Sequence, residues 1–120
     1  FEQYVSIFRE KGLSVTVLIQ SESQLSSLYG SEKATTIINN CDTIVFLGSM
    51  DLETGKSISM RANRPLEDVL YMPIGSEIIF RRGMKPIFTR RYNIFQNEMY
   101  KKVTAAYERH VEKEKTQVTR

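Results

Sequence analysis

One cysteine, one histidine and no tryptophan in 120 residues close off several kinds of chemistry at once. Cys41 has no second thiol to pair with, so an internal disulfide is excluded and a reducing compartment fits. With His110 as the sole imidazole, no His/Cys metal site can be assembled within the chain. There is no run of about 20 apolar residues, so no segment is expected to span a bilayer, and there is no signal peptide. No Gly-x-x-x-x-Gly-Lys-Ser/Thr occurs, so no loop here can cradle a nucleotide's phosphates. Nor does an apolar strand close on an acidic residue as a magnesium-holding Walker B would. Excess charge of one sign is also missing. Lys and Arg number 17 against 14 Asp and Glu, and a net +3 permits an anionic partner without arguing for one.

What is present has the balance of a globular domain, 41% hydrophobic and 26% charged. The length allows one domain at most, able to bury roughly two-thirds of its unfolded surface. The chain opens at Phe1 rather than Met, as expected of a piece excised from a longer protein.

The stretch Leu13 to Gln24 organises the reading. Leu13, Val15, Val17, Leu18 and Ile19 form a β-branched apolar run after Gly12, which predicts a strand over 14–19 buried on both faces of a parallel sheet. Gln20 closes it, and Ser21 or Ser23 can cap a following helix. Ligands bind beyond the carboxyl ends of strands in open α/β sheets, and a glutamine there can orient a water or sense a phosphate. The plain alternative is a polar residue that simply ends a strand.

Before this stretch, Phe1, Tyr4, Val5 and Phe8 mark one apolar stripe of a helix, closed by Arg9 and Glu10 and ended at Gly12. After it, helices are predicted over about 22–29, stopped by Gly30, and from an N-cap at Ser31 to a break at Asn39-Asn40. Thr43–Leu47 reads as a second buried strand, and Asp51 as the cap of a helix over about 52–62. This alternation argues for parallel pairing. Beyond Pro65 come one or two helical turns, then two apolar segments, Glu77–Arg81 and Lys85–Thr89. Gly83 between them supplies the positive φ of a hairpin turn, and Pro86 belongs at an edge or a strand start. Phe95, Met99, Val103 and Tyr107 recur every four residues on a last helix, whose polar tail after Val111 is expected to fray.

Several clusters invite function. Arg9, at a helix end, has the position of an arginine finger that completes a neighbour's phosphate site, although most surface arginines do nothing of the kind. Arg81, Arg82, Lys85, Arg90 and Arg91, interleaved with Phe80, Phe88 and Tyr92, can track a phosphate backbone while the aromatics stack on bases. The same pattern also describes a hairpin with aromatics inward and cations in water. Cys41 reads as a packing residue, and Asn40 and Asp42 as partners of backbone groups at a turn. The last helix carries like-charge pairs Glu108–Glu112 and Arg109–Lys113, so a solvated face is expected, with His110 inert among its charges.

Taken together, Phe8-Arg-Glu-Lys-Gly-Leu-Ser-Val15, Leu18-Ile-Gln-Ser-Glu-Ser-Gln-Leu25, Tyr29-Gly30, Asn40-Cys-Asp-Thr43 and Leu47-Gly-Ser-Met-Asp51 resemble the C-terminal part of the type IV secretion coupling proteins. These are the conjugative DNA-transfer ATPases. Glu53-Thr54, Ile58-Ser59, Phe80-Arg-Arg-Gly-Met-Lys-Pro86 and Arg91-Tyr92 continue the likeness. Ser49 and Gly55 depart from it, standing where the family often has glycine and alanine. The segment from Arg61 to Pro73 leaves little room for a separate substrate-recognition domain. The resemblance implies an α/β fold: part of a RecA-like P-loop NTPase sheet with flanking helices, plus a β-hairpin and a C-terminal helix. Residues 1–102 would be motor and 103–120 a charged helical tail, with Walker A and B upstream of Phe1.

By position, Gln20 matches the glutamine that senses the terminal phosphate, and Arg9 the arginine that reaches a neighbouring subunit's ATP site. Gln24, Asn40 and Asp51 match as well and are read as structural. ATP and magnesium are expected in the intact protein, none tightly bound to this piece, which alone is not expected to hydrolyse ATP. The implied partners are DNA, relaxase nucleoprotein and secretion-channel components. The implied assembly is a homo-hexamer at the cytoplasmic face of the inner membrane, while the isolated piece, with sheet edges bare, is open to dimerising. The competing expectation is a non-catalytic adaptor that docks nucleoprotein or protein cargo.

Overall fold

The structure, a computed structural model, describes residues 2–8 and 10–118. It divides into two units, residues 1–90 and 91–120.

In the first unit the order is α1 (Glu2–Phe8), α2 (Glu22–Tyr29), α3 (Ser31–Asn39), β1 (Thr43–Phe46), α4 (Leu52–Ala62), α5 (Leu66–Leu70), β2 (Ser76–Arg81) and β3 (Ile87–Arg90). Gly12, at φ 68°, lets the chain leave α1, and the Leu13 N–H donates to the Phe8 carbonyl at 2.8 Å. Tyr4 and Phe8 stack one turn apart with ring centroids 6.3 Å apart. Helix α3 starts at Ser31 itself, with Gly30 in the cap position, so Ser31 is not the cap its type suggested.

The predicted strand over 14–19 is not a strand: this run has no regular secondary structure, and Leu13, Val15, Leu18 and Ile19 are exposed. β-branched residues favour a pleated, half-buried surface rather than an extended backbone as such, and the run's outward side chains meet no such surface here. The predicted parallel pairing is also corrected. The sheet has the order β1-β2-β3 and both pairings are antiparallel, Phe46 opposite Ile78 and Ile78 opposite Phe88. A single helix between two strands returns the chain to the start of the first. Here α4 and α5 both intervene, so Ser76 begins β2 beside the end of β1.

The sheet's inner face packs Phe46 and Ile78 against Ile58 of α4 and Val69 of α5, with Met72 and Phe80 alongside. A second apolar cluster joins Leu25 of α2 to Ala34 and Ile37 of α3. Gly55 allows α4 and α5 to approach closely, since a Cβ there would stand 2.8 Å from Leu70 Cδ2. Asn63, at φ 51°, ends α4, and the Arg64 N–H returns to the Ser59 carbonyl at 3.2 Å. The expected hairpin is present. Gly83 sits at φ 77° in its turn, and Pro86 directly precedes the edge strand β3.

The second unit holds a 3-10 turn (Ile94–Gln96) and α6 (Glu98–Val118). Asn97 Oδ1 caps α6 by accepting from the Met99 and Tyr100 N–H groups at 2.9 and 3.2 Å. Phe95 meets Tyr100 edge to face at 5.3 Å. The helix continues through Val118, beyond the predicted fraying point. Phe95, Met99, Val103 and Tyr107 are all exposed. No described helix is long and apolar enough to cross a membrane.

Candidate functional site

Helix N-termini leave N–H groups without intrahelical partners, and in this chain two such ends solve the problem jointly. Ser21 and Gln24 form one cap, the Gln24 N–H donating to Ser21 Oγ at 3.1 Å. Asp51 forms the other, Oδ2 accepting from the Thr54 N–H at 2.9 Å. The two are interlocked. The first N–H of α2, on Glu22, donates to Thr54 Oγ1 of α4 at 2.9 Å, and the Thr54 hydroxyl in turn donates to Asp51 Oδ2. Ser23 Oγ lies 2.7 Å from Asp51 Oδ2 and 3.1 Å from Glu53 Oε2, and Ser57 donates to Glu22 Oε1 at 3.1 Å. Glu22, Asp51 and Glu53 also set negative charge against the positive ends of both helix dipoles. Thr54 is the buried polar side chain of the described residues.

Gln20 lies next to this junction in the chain. The residue is exposed and immediately precedes the Ser21 cap. It lines a cavity of about 220 Å³ together with Val17, Leu25, Ile37, Phe46 and Thr54. Gln20, being exposed, therefore stands at the mouth of a mostly apolar pocket that Thr54 of the interlocked caps also lines. Arg9 lies outside the described residues.

The donors that converge on Asp51, the Thr54 hydroxyl first and then the Ser23 hydroxyl and Thr54 N–H, hold its carboxyl below the ordinary range. A carboxylate whose folded pKa is depressed stabilises the fold fully above its ordinary pKa, and that contribution fades as pH falls through the lower folded value. Asp51→Asn is therefore expected to melt below the wild-type temperature at neutral pH. The gap should close below about pH 4, as followed by circular dichroism. A gap of constant size down to pH 2 contradicts an ionised cap.

The basic cluster is dispersed. Arg81, Arg82 and Lys85 gather at the hairpin turn, whereas Arg90 lies opposite Ser76 at the far end of β2, about 16 Å away at the rise of a strand. Arg91 belongs to the other unit. Arg82 Nε pairs with Asp42 at 3.2 Å, and its N–H donates to the Asp42 carbonyl, extending the β1–β2 ladder. Asn40 Nδ2 donates to the Thr36 carbonyl at 2.8 Å, the backbone role expected of it. Phe80 packs inward, while Phe88 is half exposed, with the Arg64 guanidinium 5.0 Å above its ring. Arg64 and Ser57, and the roles of Thr54 and Ser23, escaped the sequence reading; Ser23, offered as an alternative cap, instead meets Asp51 and Glu53. Ser-x-x-Gln at 21–24 and Asp-x-x-Thr at 51–54 were visible cap patterns, but nothing in the order of residues said that they touch.

Residues 1–62, which hold every partner in the interlocked caps, match the family described as the TraM recognition site of TraD and TraG. The chain belongs to this family. Among solved structures, this TraD/TraG-family chain is similar to the unbound bacterial conjugative coupling protein TrwBdeltaN70. The TM-score is 0.65 at 19% identity, over 76% of this chain and 27% of that one. At that identity the likeness carries the fold, and the chain spans about a quarter of the length of the coupling protein it matches. No curated protein matches it. The sequence resemblance to the C-terminal part of the coupling proteins is thus borne out.

Proposed function

We propose that this chain is the part of a conjugative type IV coupling protein that docks the transfer substrate, and that Gln20 and Arg9 serve an ATP-driven motor assembled with other parts of the longer protein. The observation that carries the docking reading is the match of residues 1–62 to a TraM recognition site. In this reading a TraM-class protein, or the DNA and relaxase nucleoprotein it accompanies, binds the chain and is passed to secretion-channel components. The working assembly is a homo-hexamer at the cytoplasmic face of the inner membrane, its anchor supplied by other segments.

The residues of this chain do not by themselves fit ATP and magnesium, because the sequence has no phosphate-binding loop. What the chain offers such a site is an exposed amide at Gln20, set at a pocket mouth.

Titrating the 120-residue chain with a TraM-class protein tests docking. Saturable binding is expected by calorimetry, and heats indistinguishable from dilution remove the docking role. A second reading, direct DNA contact, rests on Arg81, Arg82 and Lys85 converging at the hairpin turn, with Arg90 and Arg91 as further candidates. Charge reversal at Arg81, Arg82 and Arg90 should then weaken DNA binding uniformly across sequences and flatten its salt dependence.

A further inference from the structure

The outer face of the sheet carries an apolar row flanked by opposite charges. Antiparallel register sets Val45 opposite Ile79 and Ile79 opposite Ile87, so one row of β-branched side chains crosses all three strands. This row faces away from the core, because Phe46, Ile78 and Phe80 occupy the alternate, inner positions. Val45 is 50% and Ile87 41% exposed. Two residues to either side of Ile79, β2 carries opposite charges on the same face, Glu77 towards one end and Arg81 towards the other. Neither is ion-paired with another described residue.

We infer that this face is a dimerisation surface whose occupant is a second copy of the chain, related by a two-fold axis lying between the sheets and across the strands at Ile79. The charge pattern selects that arrangement. An axis along the strands would set Arg81 against the partner's Arg81 and Glu77 against the partner's Glu77, two like-charge contacts. The axis across the strands reverses β2, so each Arg81 meets a Glu77 while the apolar rows stack between the sheets. A closed two-fold contact of this kind uses one self-complementary patch, and face-to-face packing at about 10 Å is the ordinary way two sheets bury such rows. The inference concerns the 120-residue chain by itself, not the hexamer of the longer protein, and does not depend on the docking role.

A charge swap on the full 120-residue chain decides the matter. By sedimentation equilibrium at up to about 100 μM, in the range suited to a small interface, the wild type should dimerise. Glu77→Arg and Arg81→Glu, each placing like charges together, should each weaken the dimer at least about tenfold. The double variant E77R/R81E should restore it to within about threefold of wild type, because the pair is re-formed with its signs exchanged. Both positions are on the sheet's outer face, and circular dichroism melts confirm that each variant is folded. A monomeric wild type, single variants that dimerise undiminished, or a double variant no better than the singles would each overturn the inference.

Discussion

Arg9→Ala, introduced into a protein that carries this chain together with a phosphate-binding loop, is expected to slow ATP turnover by about a thousandfold or more. Nucleotide affinity should barely change. A guanidinium delivered from a neighbouring subunit acts on charge that develops as the phosphoryl group transfers, so its loss falls on kcat rather than on binding. Gln20→Ala should act on the same step, since a side chain that senses the terminal phosphate or orients the attacking water contributes little to holding the nucleotide. The two substitutions are separable by mixing. Arg9→Ala subunits combined with subunits whose own phosphate-binding loop is disabled should recover turnover at the shared sites, because each supplies what the other lacks. Gln20→Ala, acting within its own subunit, should not be rescued that way with a loop-disabled partner carrying intact Gln20. Undiminished turnover in Arg9→Ala removes the finger role and leaves docking as the chain's contribution.

Thr54→Val should cost about 2 kcal/mol, roughly 10 °C of melting temperature for a unit of this size. Valine preserves the shape of threonine but removes the hydroxyl that accepts from the Glu22 N–H and donates to Asp51. The Glu22 N–H then loses its partner, and an unmet donor costs more than a made hydrogen bond contributes. Thr54→Ser keeps both interactions and should retain most of the stability. The difference between these two variants isolates the hydroxyl from the packing of the methyl group. Equal melting of Thr54→Val and wild type means that the interlocked caps contribute nothing net. A Thr54→Ser variant as unstable as Thr54→Val means that the methyl, which serine lacks, contributes as much as the hydroxyl, which valine lacks.

Local signals in the sequence translated well. The α2 helix ends at Tyr29 before Gly30, α4 runs Leu52–Ala62 behind its Asp51 cap, and the hairpin turns at Gly83, all as the residues foretold. These features are set by cap chemistry and backbone freedom within a few residues, which is the range over which sequence order equals proximity. The failures are non-local. Whether 14–19 joins a sheet depends on which edge lies beside it, and whether β2 runs with or against β1 depends on how many helices intervene. The candidate site was half legible for the same reason. Ser21 and Asp51 announce themselves as caps, but the bond from Glu22 to Thr54 joins residues 32 positions apart, and no periodicity encodes it.

The two apolar clusters described above are unequal partners. Leu25, Ala34 and Ile37 make a small one, built from two short helices, whereas the sheet cluster gathers side chains from β1, β2, α4 and α5. What fastens α2 to α4 is chiefly polar. Two short helices around three buried side chains share less packed hydrocarbon than the sheet cluster does, so the amide hydrogens of the α2–α3 hairpin are expected to exchange before those of the sheet. Gln20 directly precedes the Ser21 cap of that hairpin. Binding at the cavity that Gln20 lines would therefore bear on this corner of the molecule more than on its sheet.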